Sequence, residues 1–302
     1  MKQDLPKLGI GPLCRLFGRS RHAYYDALWR KESSLVKEDI ILQEVIDIRK
    51  QLPRLGTRKL RHILAKRLLS HNITIGRDYL FDLLSDHRLL VRQRRRKAVT
   101  TDSRHWMKKY GNLIKGMEIT RPEQVWVSDI TYIRMADQWG YLSLITDACS
   151  RKIMGYGFRM DLTAQGCMDA LQMALDNRVH QGPLIHHSDR GSQYCSSQYV
   201  ELLLKSKTAI SMAENGDPYE NAIAERVNGI IKTEFDLHSS VLGFEKTQKY
   251  ISKSIDNYNG LRPHASCDYL TPNQAHLETT RLKKRWKNYQ KYNNPKMTVQ
   301  SY

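Results

Sequence analysis

Three acidic residues stand where their neighbours do not favour charge. Asp129 lies inside Val125-Trp126-Val127-Ser128-Asp129-Ile130-Thr131-Tyr132-Ile133. Such a run favours β structure, and a charge within it costs desolvation unless it is paired or bound to a cation. Asp189 closes the short apolar run Leu184-Ile185 and is followed by Arg190-Gly191-Ser192, a turn composition. Glu225 comes after 35 intervening residues, in Glu220-Asn221-Ala222-Ile223-Ala224-Glu225-Arg226. Together they read as one metal-binding set for phosphoryl transfer. Mg²⁺ takes hard oxygen ligands, and two ions about 4 Å apart can serve both the attacking and the leaving oxygen at phosphorus. Taken singly, each acid reads as a surface charge or a cap.

The surrounding pattern supplies elements to hold these acids. Strands fit 124–134, 140–147 and 152–159, with short hairpin connections. A helix fits 164–177, a strand 183–188, a helix 196–206 and a short strand 208–212. Glu225 then sits on a helix with Asp217 as N-cap, Pro218 in its first turn and Glu220 completing a capping box. Ile223, Val227, Ile230, Ile231 and Phe235 form its buried stripe. Glu225 shares the polar face with Asn221, Asn228, Gly229 and Lys232. A further helix fits 243–259. An antiparallel meander followed by helix–strand alternation is the RNase H-like α/β order, with a mixed five-stranded sheet. Within it, Asp147 reads as a turn cap. His187 reads equally as an aid to a metal-bound water or as a structural hydrogen bond. Trp126 and Tyr132 read as core.

The charge is uneven. The net charge is +18, and the first 123 residues hold 28 Lys and Arg against 13 Asp and Glu. The rest is nearly balanced, so the first third is suited to grip a polyanion. It reads as all-α helix-turn-helix units. Residues 8–30 form one, with helices on either side of Gly18 and a cap at Ser20; a longer helix follows over 35–51. Arg19, Arg21 and His22 would meet a groove or its phosphates. Helices over 57–69 and 77–86 form a second pair carrying Arg77. The run Arg92 to Lys97, with Arg94, Arg95 and Arg96, ends it. This gives units at 1–52 and 53–97, a linker at 98–122, a catalytic core at 123–275 and a basic tail at 276–302. Five scattered cysteines without Cys-x-x-Cys fit a reducing cytoplasm, and no 18-residue apolar stretch marks a membrane helix.

The motif set resembles bacterial insertion-sequence transposases with a core similar to retroviral integrase. It comprises the Asp129 run, Asp147 with Ser150-Arg151-Lys152-Ile153, and His187-Ser188-Asp189-Arg190-Gly191-Ser192-Gln193-Tyr194. Asp217-Pro218-Tyr219-Glu220-Asn221-Ala222 with Glu225 follows, then Tyr258-Asn259, Arg262-Pro263-His264 and Thr271-Pro272. The resemblance is strong over 124–275 and looser over 10–122. It implies a DDE triad of Asp129, Asp189 and Glu225, two Mg²⁺ or Mn²⁺ ions, and strand cleavage and transfer without a covalent enzyme intermediate. It also implies transposon-end and target DNA as partners, a homo-oligomer on DNA, an upstream-frame DNA-binding protein, and work at the bacterial nucleoid. Asn221 and Lys232 would touch the scissile strand. Gly229 stands where many relatives carry a Lys, and the His/Cys zinc domain of retroviral integrases is absent. Two other readings stay open: a DNA-binding regulator using 1–122, and a nuclease of the same fold that cuts without joining.

Overall fold

The computed structural model describes residues 9–91, 106–136, 138–214, 221–237 and 242–278. The chain divides into two compact units. One holds the described residues up to 100 with those in 230–239, and the other holds the remainder.

The first unit is helical. Helix α1 (Ile10–Leu16) ends at Gly18, whose φ of +60° suits glycine. Ser20 then caps α2 by accepting from the Ala23 amide at 3.0 Å. The sequence suggests two helices over 21–28 and 35–51. The structure instead has one, α2 (Arg21–Gln51), of 31 residues. The stripe of apolar residues lapses near Glu32-Ser33-Ser34, but no Gly or Pro breaks the backbone there. Helix α3 (Thr57–Arg67) and α4 (Arg77–Asp86) follow, joined through a 3₁₀ turn at Leu68–His71. Leu60, Leu64, Leu80 and Leu84 are fully buried there.

The second unit is built on one sheet. Its strands are β1 (Val125–Arg134), β2 (Trp139–Asp147), β3 (Ile153–Arg159), β4 (Ile185–Ser188) and β5 (Ala209–Met212). Their order is β3-β2-β1-β4-β5. β1, β2 and β3 pair antiparallel, while β4 lies parallel to β1 and β5 parallel to β4. This is the RNase H-like arrangement. Period-2 alternation divides β1 between two faces. Trp126 packs on one face with residues of α5 (Ala164–Asp176), α6 (Ser192–Cys195) and α7 (Ser197–Lys205). Val125 and Val127 pack on the other with Ala224 of α8 (Ala222–Glu234). α9 (Phe244–Leu261) and α10 (Pro272–Leu277) complete the unit. Gly157 lets α5 lie close on β3, because an added Cβ would stand 2.1 Å from the Gly166 carbonyl oxygen.

Residues 106–120 carry no regular element, yet they are fastened to the sheet. The Met212 amide donates to the Gly111 carbonyl at 3.2 Å, and the Leu113 amide to Ser211 Oγ at 2.9 Å. Met107 and Tyr110 pack on one face, Ile114 and Ile119 on the other.

A buried polar network holds the start of β1. Asp147 Oδ1 accepts from the Ser150 amide at 2.7 Å and the Ser150 hydroxyl at 2.9 Å, and Oδ2 accepts from the Glu123 amide at 2.6 Å. Asp147 is therefore the turn cap its position suggests. The Glu123 carboxylate accepts from the amides of Val179 and His180 and faces Arg178 and His276. Burial pushes the Glu123 carboxyl up, but His276 and these two amides outweigh it and hold it below its usual range. Glu123→Ala should cost about 3–5 kcal/mol, because it strands buried partners without a charge. Thermal unfolding at pH 7 measures it. A depressed carboxyl contributes stability above its unfolded pKa, so the gap to the wild type should narrow as pH falls through the acidic range.

Candidate active site

Asp129 and Asp189 come together through sheet register. Val127 of β1 pairs with His187 of β4 in parallel. Continuing that register by two residues sets Asp129 beside Asp189, just beyond the end of β4. Neighbouring strands lie about 4.8 Å apart. Asp129 falls on the face of Val125 and Val127, and Asp189 on that of Ile185 and His187. The two acids therefore share the face to which α8 contributes Ala224.

Each carboxylate is held by nearby donors. Asp129 Oδ1 accepts from the Ile130 amide at 2.9 Å, and Oδ2 from Asn228 Nδ2 at 2.8 Å. Asp189 Oδ1 accepts from the Gly191 amide at 3.0 Å, a turn that aims the carboxylate from the strand end. Glu225 is exposed on the first turn of α8. Its helix starts where Asn221, itself buried, donates Nδ2 to the Ser128 carbonyl at 3.0 Å.

Burial, acting first, pushes the Asp129 carboxyl up to about 7. The Asn228 bond opposes this, the Asp189 charge adds to it, the Ile130 amide opposes it, and the Glu225 charge adds again. Among the described residues, no three His, Cys, Asp or Glu side chains stand at metal-ligating spacing. Glu225 acts on Asp129 through its charge, and mutual repulsion of three carboxylates works against tighter convergence. In kind, carboxylate oxygens suit a hard divalent cation, and burial, with the charges of Asp189 and Glu225 adding to it, holds the Asp129 carboxyl up.

The other candidate residues are placed as follows. Asn221 spends its amide on β1, which gives it a part in fixing α8 where the sequence suggests a strand contact. Asn228 is the residue that sequence reasoning passed over. It lies three positions beyond Glu225 on the same helical face, which is the signal that could have found it. Lys232 is half-buried. His187 is buried, with Nδ1 2.8 Å from Ser211 Oγ, and Trp126 is in the core. Tyr132 packs edge-on against Tyr141. Arg19, Arg21 and His22 are exposed around the α1–α2 turn, as is Arg77 at the start of α4, where it pairs with Asp78 at 2.8 Å. Arg94, Arg95 and Arg96 lie outside the described residues, as do Asp217, Pro218 and Glu220.

One Ser–His–acid chain invites a hydrolase reading. Ser150 Oγ is 3.0 Å from His276 Nδ1, and His276 Nε2 is 3.1 Å from Glu123. All three residues are fully buried, so the chain is a structural tie.

The integrase core domain family matches residues 119–218, and a second integrase core domain family matches 206–272. The insertion element IS600 uncharacterized 31 kDa protein of Shigella sonnei is 33% identical over 264 residues, spanning 86% of this chain and 96% of that protein. Transposase InsF for insertion sequence IS3A, from Escherichia coli strain K12, is 36% identical over 154 residues, spanning 51% of this chain and 54% of that one. The HTLV-2 integrase catalytic core domain in complex with magnesium is 21% identical, with a TM-score of 0.42 over 52% of this chain and 97% of that one. A chain of the simian T-cell lymphotropic virus intasome in complex with PP2A regulatory subunit B56 gamma is 18% identical, with a TM-score of 0.46 over 74% of this chain and 71% of that one.

The raised Asp129 carboxyl gives a pH dependence of opposite sense to that of an ion-paired acid. Its ordinary value is 3.8 and its folded value about 7, so the folded state holds an extra proton between them. Stability then falls as pH rises from about 4 to about 7, and the full penalty is present above that. Asp129→Asn removes the penalty but loses one hydrogen bond, because an amide has a single acceptor oxygen for the Ile130 and Asn228 donors. Without divalent cations it should be more stable than wild type at pH 8, by roughly 2–3 kcal/mol. The advantage should vanish at pH 4. Chemical denaturation at the two pH values measures both.

Proposed function

We propose, for a chain that belongs to the insertion-sequence transposases with an integrase core, that Asp129, Asp189 and Glu225 are its catalytic carboxylates. The protein is a DNA transposase, a polynucleotidyl transferase. The observation that carries the residue assignment is the β1–β4 register, which sets Asp129 beside Asp189 on the face α8 helps to cover.

The three acids would hold two Mg²⁺ or Mn²⁺ ions. When bound, such ions neutralise charge at phosphorus and favour attack by a hydroxyl at neutral pH. The protein's own residues do the positioning. Asn228 and the Ile130 amide orient Asp129, the Gly191 amide orients Asp189, and Asn221 secures the start of α8 against β1. The scissile phosphodiester is broken by in-line displacement. Water first attacks phosphorus and releases a 3′-hydroxyl, and that hydroxyl then attacks a target phosphodiester and displaces its 3′ oxygen. No protein atom becomes bonded to DNA, so catalysis rests on positioning and charge.

The helical unit would supply DNA binding through Arg19, Arg21, His22 and Arg77, with Arg94, Arg95 and Arg96 beyond it and Lys232 close to the scissile strand. Transposon-end and target DNA would be the substrates. Cutting two ends calls for at least a dimer, and an upstream-frame DNA-binding protein would be a further partner. The site of work would be the bacterial nucleoid. Among the described residues no helix is long and apolar enough to cross a membrane.

Asp129→Asn, Asp189→Asn and Glu225→Gln should each reduce end cleavage to background while end binding in EDTA is unchanged. Wild-type cleavage by any of them would remove that residue from the set. Mg²⁺ or Mn²⁺ should raise the wild-type unfolding midpoint at pH 8 and leave that of Asp129→Asn in place. A pre-cut end offered with target DNA separates joining from simple cutting, and the wild type should join it.

A further inference from the structure

Helix α1 and the first three turns of α2 share little core. In α1 only Cys14 is buried, and the buried residues of α2 are Ile41, Val45 and Ile48, all in its second half. Both stretches are nonetheless amphipathic. Leu13, Cys14 and Phe17 of α1 and Ala23 and Ala27 of α2 line a hollow of about 450 Å³ between the two helices, and Arg19 and Arg30 belong to the same lining. The hollow lies on the side by which α2 is held in its unit. An α-helix takes about 3.6 residues per turn, so Ala23, Ala27 and Arg30 share a side with Ile41, Val45 and Ile48, about five turns further on. That side is covered at the second set and open at the first, where Ala23 and Ala27 are exposed. Two small side chains one turn apart leave a trough, and Phe17 stands beside it 54% exposed.

Charge decides among the possible occupants. Arg19 and Arg30 are both exposed, and the lining contains no acidic residue. Arg19 precedes α2 and Arg30 lies in its third turn, so the two cations stand about 15 Å apart along it. A second copy of the chain would bring the same two arginines, from a region with 28 Lys and Arg against 13 Asp and Glu, and like charges oppose such a pairing. Duplex DNA would meet the arginines but leave the apolar trough unfilled. An amphipathic helix that carries acids at both ends of its apolar stripe satisfies the trough and the two cations together.

We propose that the α1–α2 groove is a docking site for an amphipathic helix of another protein, apolar along one face, with acidic residues about ten positions apart to meet Arg19 and Arg30. Covering Leu13 and Phe17 supplies most of the affinity, because apolar area leaves water there. The two arginine pairs are exposed, so each adds little and mainly selects the charge of the partner. Arg21 and His22 are outside the lining, so a nucleic-acid contact at the α1–α2 turn and a helix in the groove draw on different side chains except at Arg19. The site does not depend on the roles of Asp129, Asp189 and Glu225.

The test uses the full chain and fluorescence anisotropy with a labelled synthetic helix of about fourteen residues, with leucines along one face and a glutamate near each end. One control peptide has lysines in place of the glutamates, and the other keeps the glutamates but scrambles the leucines off their stripe. The wild type should bind the first peptide roughly ten-fold more tightly than either control. Arg19→Glu combined with Arg30→Glu should reverse the order of the glutamate and lysine peptides. Ala27→Trp fills the trough from an exposed position, so it should abolish peptide binding and leave the unfolding midpoint in place. No binding of the glutamate peptide below about 1 mM overturns the proposal. Equal binding of the scrambled peptide does so too, since bulk charge would then explain the affinity, as does binding that survives Ala27→Trp. A wild-type dimer in light scattering that Ala27→Trp dissociates would give the groove to a second copy. An equal loss of blunt-duplex affinity in Ala27→Trp would give it to DNA, and tighter peptide binding after removal of residues 1–8 would give it to the start of this chain; each of these overturns the proposal.

Discussion

Two acids brought together by the register of neighbouring parallel strands, one within β1 and one just past the end of β4, set the terms for the catalytic unit. Like charges so placed repel, and the Asp189 charge adds to the upward push that burial gives the Asp129 carboxyl. Sheet hydrogen bonding fixes β1, which carries Asp129, and the turn after β4 holds Asp189, so the backbone has little freedom to relieve that repulsion. The relief comes from donors. Asn228 and the Ile130 amide serve Asp129, and the Gly191 amide serves Asp189. These donors leave lone pairs on every carboxylate oxygen. The result is a pair of acids whose oxygens are aimed by backbone and side-chain donors, a chemistry that suits a hard divalent cation.

Holding that register takes most of the fold. Parallel pairing of β1 with β4 needs a crossover, and the chain between β3 and β4 provides it with α5. Glycine at 155 and 157 permits close contact there, because any Cβ would collide with helix backbone. The opposite end of β1 is fixed by the Asp147 turn and the Glu123 network, which bind the β2–β3 corner, the loop after α5 and α10 to one point. Asp147 pairs across from Trp126, three residues before Asp129. A slip of one residue in β1 would turn Asp129 to the opposite face and Trp126 away from its core. The buried network is thus a register lock, far from the chemistry and needed by it.

How much of this was legible in the sequence depends on the range of the signal. Strand and helix bounds followed from local alternation, and all five strands lie within two residues of their expected limits. Asp147 followed from local turn chemistry. The continuity of α2 did not, because a lapse in the apolar stripe looks like a break even where the backbone has no reason to end. The strap was read as a linker, since its attachment runs through backbone groups and four irregularly spaced side chains that leave no period. The part of Asn228 was visible only as a shared helical face. What that face met was a question of tertiary placement. The tie of Asn221 to the Ser128 carbonyl is of the same kind: the strand it meets is distant in sequence, so no local pattern announces it.

The distribution of charge separates two tasks. Residues 1–123 carry most of the net charge, while the rest is close to neutral. A site that concentrates acidic groups repels a phosphodiester until cations intervene, so attraction has to be supplied from outside it. Basic side chains on the helical unit can supply long-range attraction, which salt screens over about 10 Å. Binding strength and chemical competence are then set by different residues, and each can change without the other.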